Sequence, residues 1–101
     1  MRTRNEIETF QAAIDTYGKE TQLFVAVEEM SELQKEICKV LRKTTGRPRS
    51  RLYEEIADAE IMLEQLKMIF NCDDQVEMYR LDKVVRLKNR LGLLPKVTDD
   101  E

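Results

Sequence analysis

Histidine and tryptophan are absent from this 101-residue chain, which also holds only three Gly, two Pro and two Cys. Without histidine, nucleophilic triads of the Ser-His-Asp and Cys-His types are excluded in their usual forms. The Glu-x-x-His ligand sets of di-iron helical bundles are excluded as well. Cys38 and Cys72 stand alone, with no CxxC spacing, so neither a zinc site nor a disulfide scaffold is expected. Both read as reduced thiols buried as small hydrophobes. No apolar run approaches the ~18 residues of a membrane span, and Met1-Arg2-Thr3-Arg4-Asn5-Glu6 lacks the apolar region of a signal peptide. A cytoplasmic location without a membrane partner is the expectation. A basic excess is missing too: 17 Lys and Arg against 20 Asp and Glu leave a net charge of −3, which argues against a nucleic-acid polymer as partner. The chemistry left to such a chain runs on carboxylates, amines and an oxygen-seeking metal.

What is present is charge and helical periodicity. Charged residues make up 37% of the chain and aromatics 6%, the composition of a helix-rich domain. One domain of this length buries roughly 60–65% of the surface its unfolded chain exposes, so self-association would help it. The spacing predicts four helices in an antiparallel all-α bundle, with an oligomer expected from the short chain. The first runs from about Arg4 to Tyr17, with Ile7, Phe10, Ala13 or Ile14 and Tyr17 at helical spacing and Gly18 as its stop. The second covers about Glu20 to Lys43, its apolar stripe formed by Leu23, Ala26, Met30, Leu33, Ile37, Val40 and Leu41. Thr44-Thr45-Gly46-Arg47-Pro48 breaks it. The third begins at Ser50, read as its N-cap, and reaches Phe70. The fourth is capped by Asp73 or Asp74 and runs to about Leu91, with Gly92 as its stop. The core therefore spans about residues 4–92, and 93–101 form an acidic, frayed tail.

Two acidic patterns interrupt this regularity: Glu28-Glu29-Met30-Ser31-Glu32 and Glu54-Glu55-Ile56-Ala57-Asp58. Residues three apart share a helix face, so each pattern aims two carboxylates in one direction. At about 100° per residue, Glu55 falls inside the third helix's apolar stripe, with Asp58 at its edge. Glu29 is flanked by Val25, Leu33 and Val40, Glu32 sits at the margin, and Glu36 projects close to Glu29. Glu28 and Glu54 point to solvent. Such carboxylates either pair with Arg or Lys across the bundle, because an unpaired buried charge costs several kcal/mol, or they hold a hard divalent cation. Oxygen-only ligands suit Mg²⁺ or Mn²⁺.

These residues resemble the MazG-like, all-α nucleoside triphosphate pyrophosphohydrolases, whose pattern is E-E-x-x-E on one helix and E-E-x-x-D on the next. Glu28-Glu29-x-x-Glu32 and Glu54-Glu55-x-x-Asp58 match both halves, and the resemblance covers about residues 20–92. It implies that Glu29, Glu32, Glu55 and Asp58 hold Mg²⁺ against a (deoxy)nucleoside triphosphate. Water then attacks phosphorus and releases a nucleoside monophosphate and pyrophosphate, a nucleotide-pool housecleaning role. Glu32, at the stripe's margin, is the candidate general base. The family commonly has basic residues on the fourth helix that contact phosphates, which makes Lys83 and Arg86 substrate ligands here. Arg42, Lys43, Arg47, Arg49 and Arg51 form either a lid over phosphates or a solvated basic loop. Gln22, seven residues before Glu29, either reads a nucleobase edge or serves as an interface or capping amide. Phe10, Tyr17 and Phe24 are candidates for base stacking, with core packing as the alternative. A homo-oligomer, dimer or tetramer, is implied. The competing class is a non-enzymatic helical interaction module whose acidic residues pair with a partner's arginines.

Overall fold

The computed structural model describes residues 1–42 and 48–93. Four helices follow one another: α1 (Arg4–Tyr17), α2 (Lys19–Leu41), α3 (Ser50–Phe70) and α4 (Asp73–Arg90), with no strand among the described residues. The all-α expectation holds. The chain divides into two compact units, Met1–Asn71 and Cys72–Glu101.

Local chemistry sets the ends of the helices. Thr3 opens α1: its hydroxyl accepts a hydrogen bond from the Glu6 backbone N–H at 3.1 Å, satisfying one of the donors a helix start leaves free. Gly18 closes it at φ 92°, a conformation open to glycine, and its N–H bonds back to the Ile14 carbonyl. Asn71, at φ 50° and ψ 51°, ends α3 in the left-handed region, which Asn tolerates better than most residues. Ser50 does not cap α3. It is the first helical residue, and Arg49 occupies the cap position in αR geometry without a side-chain bond. Likewise Cys72 precedes α4, and Asp73 and Asp74 lie within its first turn. There their charge complements the N-terminal end of the helix dipole, as Lys88 and Arg90 do at the other end.

In the first unit, α2 and α3 form the main pairing and α1 packs on both. The buried apolar side chains among the described residues are Phe10 and Ile14 from α1, Ala26 from α2, and Ala59 and Met62 from α3. The small residues Ala26 and Ala59 suit close approach of the two long helices. At the open end of α1, Arg2 ion-pairs with Glu64 on α3, and Lys67 donates to the same carboxylate at 3.0 Å. Much of the expected stripe is exposed: Ile7, Tyr17, Ile37, Leu41, Ile56, Leu63 and Phe70 all face outward. Three helices have too few neighbours to cover stripes this wide. Cys38 is exposed and Cys72 half-buried, both as free thiols, so the expectation that both are buried fails. In the second unit, α4 carries no buried residue. No helix among the described residues is long and apolar enough to cross a membrane. The expected frayed tail, apart from Leu93, lies outside the described residues.

Candidate metal centre

Glu29 on α2 and Glu55 and Asp58 on α3 come together. One oxygen from each lies within 4.8 Å of the others, and this is the acidic group with ligand-like geometry among the described residues. The three-residue step from Glu55 to Asp58 places both carboxylates on the α3 face that meets α2. Glu55 is only 6% exposed, and its Oε2 is buried without a hydrogen-bond partner. Among the described residues, no Lys or Arg forms an ion pair with Glu29, Glu55 or Asp58.

The electrostatics follow from this placement. Burial holds the Glu29 carboxyl above its ordinary value, and the negative charges and proton-sharing of Asp58 and then Glu55 push it in the same direction. A carboxylate oxygen has no donor of its own when ionised, so three converging carboxylates cannot satisfy one another. A hard divalent cation can. It accepts carboxylate oxygens and offsets their repulsion, and Glu55 Oε2 is the buried acceptor that lacks any other partner. The three carboxylates could therefore hold a hard divalent cation.

The other sequence candidates are placed differently. Glu32 is not in the cluster; it is half-buried, and its Oε1 accepts from Lys35 one turn on at 3.3 Å. Asp58 takes the same three-residue step from Glu55 and does converge, so the step alone does not separate Glu32; what marks Glu32 is its contact with Lys35 on its own helix. Glu36 is buried but ion-paired, with Lys39 Nζ at 2.8 Å and Arg51 Nε at 3.9 Å. Glu28 and Glu54 face solvent as expected. Gln22 is 5% exposed, and its Nε2 donates to Gln65 Oε1 at 2.7 Å across the α2–α3 interface. This contact accords with the interface-amide alternative and does not test the nucleobase reading.

Gln65 is a residue the sequence reading missed. It follows Asp58 by seven residues, beside Met62 and Leu66 on the buried face, so the stripe that singled out Glu55 also contained it. Phe10 is in the core, whereas Tyr17 and Phe24 are exposed. Lys83 and Arg86 are exposed on α4, where Arg86 Nη2 pairs with Asp82 at 2.9 Å. Of the basic loop, Arg42, Arg49 and Arg51 are exposed; Lys43 and Arg47 lie outside the described residues. Comparison with protein-family models, with curated proteins and with solved structures found no significant match.

Proposed function

We propose that this protein is a MazG-like, Mg²⁺-dependent pyrophosphohydrolase that converts a (deoxy)nucleoside triphosphate and water into the nucleoside monophosphate and pyrophosphate. The observation that carries the reading is Glu55: a buried carboxylate with an unpartnered oxygen, set against Glu29 and Asp58 without a compensating cation from the described chain. A bound divalent cation would offset this repulsion and give the unpartnered oxygen a partner.

In this reading Glu29, Glu55 and Asp58 supply the oxygens that hold Mg²⁺, or Mn²⁺ in its place. When bound, the cation would supply charge neutralisation for the phosphates and help align the displacement. Glu32 sits one turn beyond Glu29 and is more open to water, so it acts as general base. Its contact with Lys35 is exposed on both sides and is weak enough to yield. The water oxygen bonds to the α-phosphorus, the bridging bond to the β-phosphate breaks, pyrophosphate leaves, and Glu32 takes the proton. Lys83 and Arg86 enter as phosphate ligands through the family resemblance alone.

The reading includes an antiparallel α2–α3 pair. Gln22, early in α2, bonds Gln65, late in α3, while Glu36, late in α2, faces Arg51, early in α3. It also includes self-association as a dimer or tetramer. Apolar side chains such as Phe24, Val27, Leu81 and Val84 are exposed, and a small domain gains most by covering them with a second copy.

The test is pyrophosphate release from a panel of standard and modified ribo- and deoxyribonucleoside triphosphates, with Mg²⁺, Mn²⁺ or EDTA. Metal-dependent release from at least one is expected. Silence across the panel with both metals would sink the hydrolase and favour the interaction module.

A further inference from the structure

The residues of the α2–α3 interface repeat at sevens. On α2 stand Gln22, Glu29 and Glu36; on α3 stand Arg51, Asp58 and Gln65. They meet in three rungs. Gln22 Nε2 donates to Gln65 Oε1 at 2.7 Å; Glu29 and Asp58 bring oxygens together within the 4.8 Å cluster; Arg51 Nε lies 3.9 Å from Glu36 Oε1. Seven residues are about two helical turns, or roughly 10.5 Å. The repulsive rung thus has an attractive one two turns away on either side.

The two outer rungs are unequal. Arg51 is 63% exposed at its side chain, so solvent screens its pairing with Glu36. Gln22 and Gln65 are 5% and 4% exposed, and their amides share a bond of 2.7 Å. For stability alone, two apolar side chains would serve at least as well in that interior position. What an amide pair adds is register, because only one alignment of the helices satisfies both partners, as with a lone polar residue in a coiled-coil seam. Register is what the carboxylates need. A slip of one residue shifts α3 by about 1.5 Å and turns its side chains by about 100°, which would carry Asp58 off Glu29.

We infer that Gln22 and Gln65 are positioning residues for the cation site, pinning the α2–α3 register against the repulsion of Glu29 and Asp58. This rests on the cation-binding reading above.

The experiment compares the full chain with Gln22→Met and with Gln22→Met/Gln65→Met, a side chain of similar length that lacks the amide. Thermal unfolding is followed in EDTA, and Mn²⁺ alone is titrated calorimetrically. The single variant should lose stability, because Gln65 is left with a buried unpaired amide. The double variant should recover the metal-free Tm of the parent yet bind Mn²⁺ about tenfold more weakly, the loss typical when support of metal ligands is removed. Recovery of both Tm and parental Mn²⁺ affinity would show the amides to be packing only and overturn the inference, with the metal reading intact. A parent protein that binds no Mn²⁺ overturns the metal reading itself and this inference with it. If the double Met variant does not unfold cooperatively, Gln22→Leu/Gln65→Leu carries the same expectations.

Discussion

Glu55→Gln should stabilise the metal-free protein while removing its response to metal. At a separation of 4.8 Å, two unit charges repel by about 1 kcal/mol in bulk water and about 3.5 kcal/mol at an effective dielectric constant of 20. Glu55 faces two such neighbours. A net gain of about 1–3 kcal/mol on neutralising Glu55 follows. A domain of this size gains about 4–8 °C in Tm per kcal/mol, so the rise should be several degrees. The glutamine amide can also donate to the remaining carboxylates, reinforcing the gain. The assay is thermal unfolding by circular dichroism at pH 7.5, in EDTA and with excess Mg²⁺ or Mn²⁺. The parent should gain about 2.7 kcal/mol from a cation at a hundred times its Kd, whereas the variant should gain almost nothing. If Glu55→Gln lowers Tm in EDTA, Glu55 is held by favourable partners and the argument from repulsion is wrong.

Further expectations are open to equally direct checks. Glu32→Gln should cut turnover strongly while leaving Mn²⁺ affinity near the parental value, because Glu32 stands outside the three-carboxylate cluster; a matching loss of affinity would make it a ligand. For Glu29, the folded-state pKa lies above the ordinary 4.5, so its contribution to stability is complete below that value and lost as pH rises through the raised pKa. In EDTA, Glu29→Gln should remove this alkaline-side decline from the Tm–pH profile, and saturating Mg²⁺ should suppress it in the parent. Glu64 behaves in the opposite sense: burial raises its pKa, but Lys67 and Arg2 outweigh burial and hold it below 4.5. Its stabilisation is therefore present above 4.5 and lost as pH falls through the lowered pKa. Glu64→Gln should be less stable than the parent at neutral pH, with the gap closing in acid; a gap that persists in acid would contradict the ion pairing.

How far the sequence could be read differs between one-helix and two-helix properties. Gly18 and the Asn71-Cys72 step punctuate the chain, and helical periodicity fills the intervals, so α1 and α3 fall where expected. Caps were less readable, because Ser50 and Asp73 sit one place from the cap and either position suits their side chains. The convergence of Glu29, Glu55 and Asp58 followed from their angles relative to the apolar stripes, a property of each helix alone. Glu32 shows the limit of that method: a residue at the stripe's margin is decided by its neighbours, and Lys35 lies within reach on the same helix. Gln22 was readable as an inward amide, but its partner was not, because nothing in α2 identifies the α3 residue opposite. Glu36 shared a face with Glu29 yet pairs with Lys39 and Arg51. One of those contacts is local, and the other again depends on the partner helix.

The central claim is that the three carboxylates hold a cation that serves cleavage of a nucleoside triphosphate. Phosphorus NMR of the reaction mixture tests it most directly, with parent and Glu55→Gln proteins side by side in Mg²⁺ on the best substrate of the panel. The parent should convert the triphosphate signals into those of a monophosphate and pyrophosphate, and the variant should leave them unchanged. Orthophosphate and a nucleoside diphosphate as products, or equal conversion by the variant, would contradict the account.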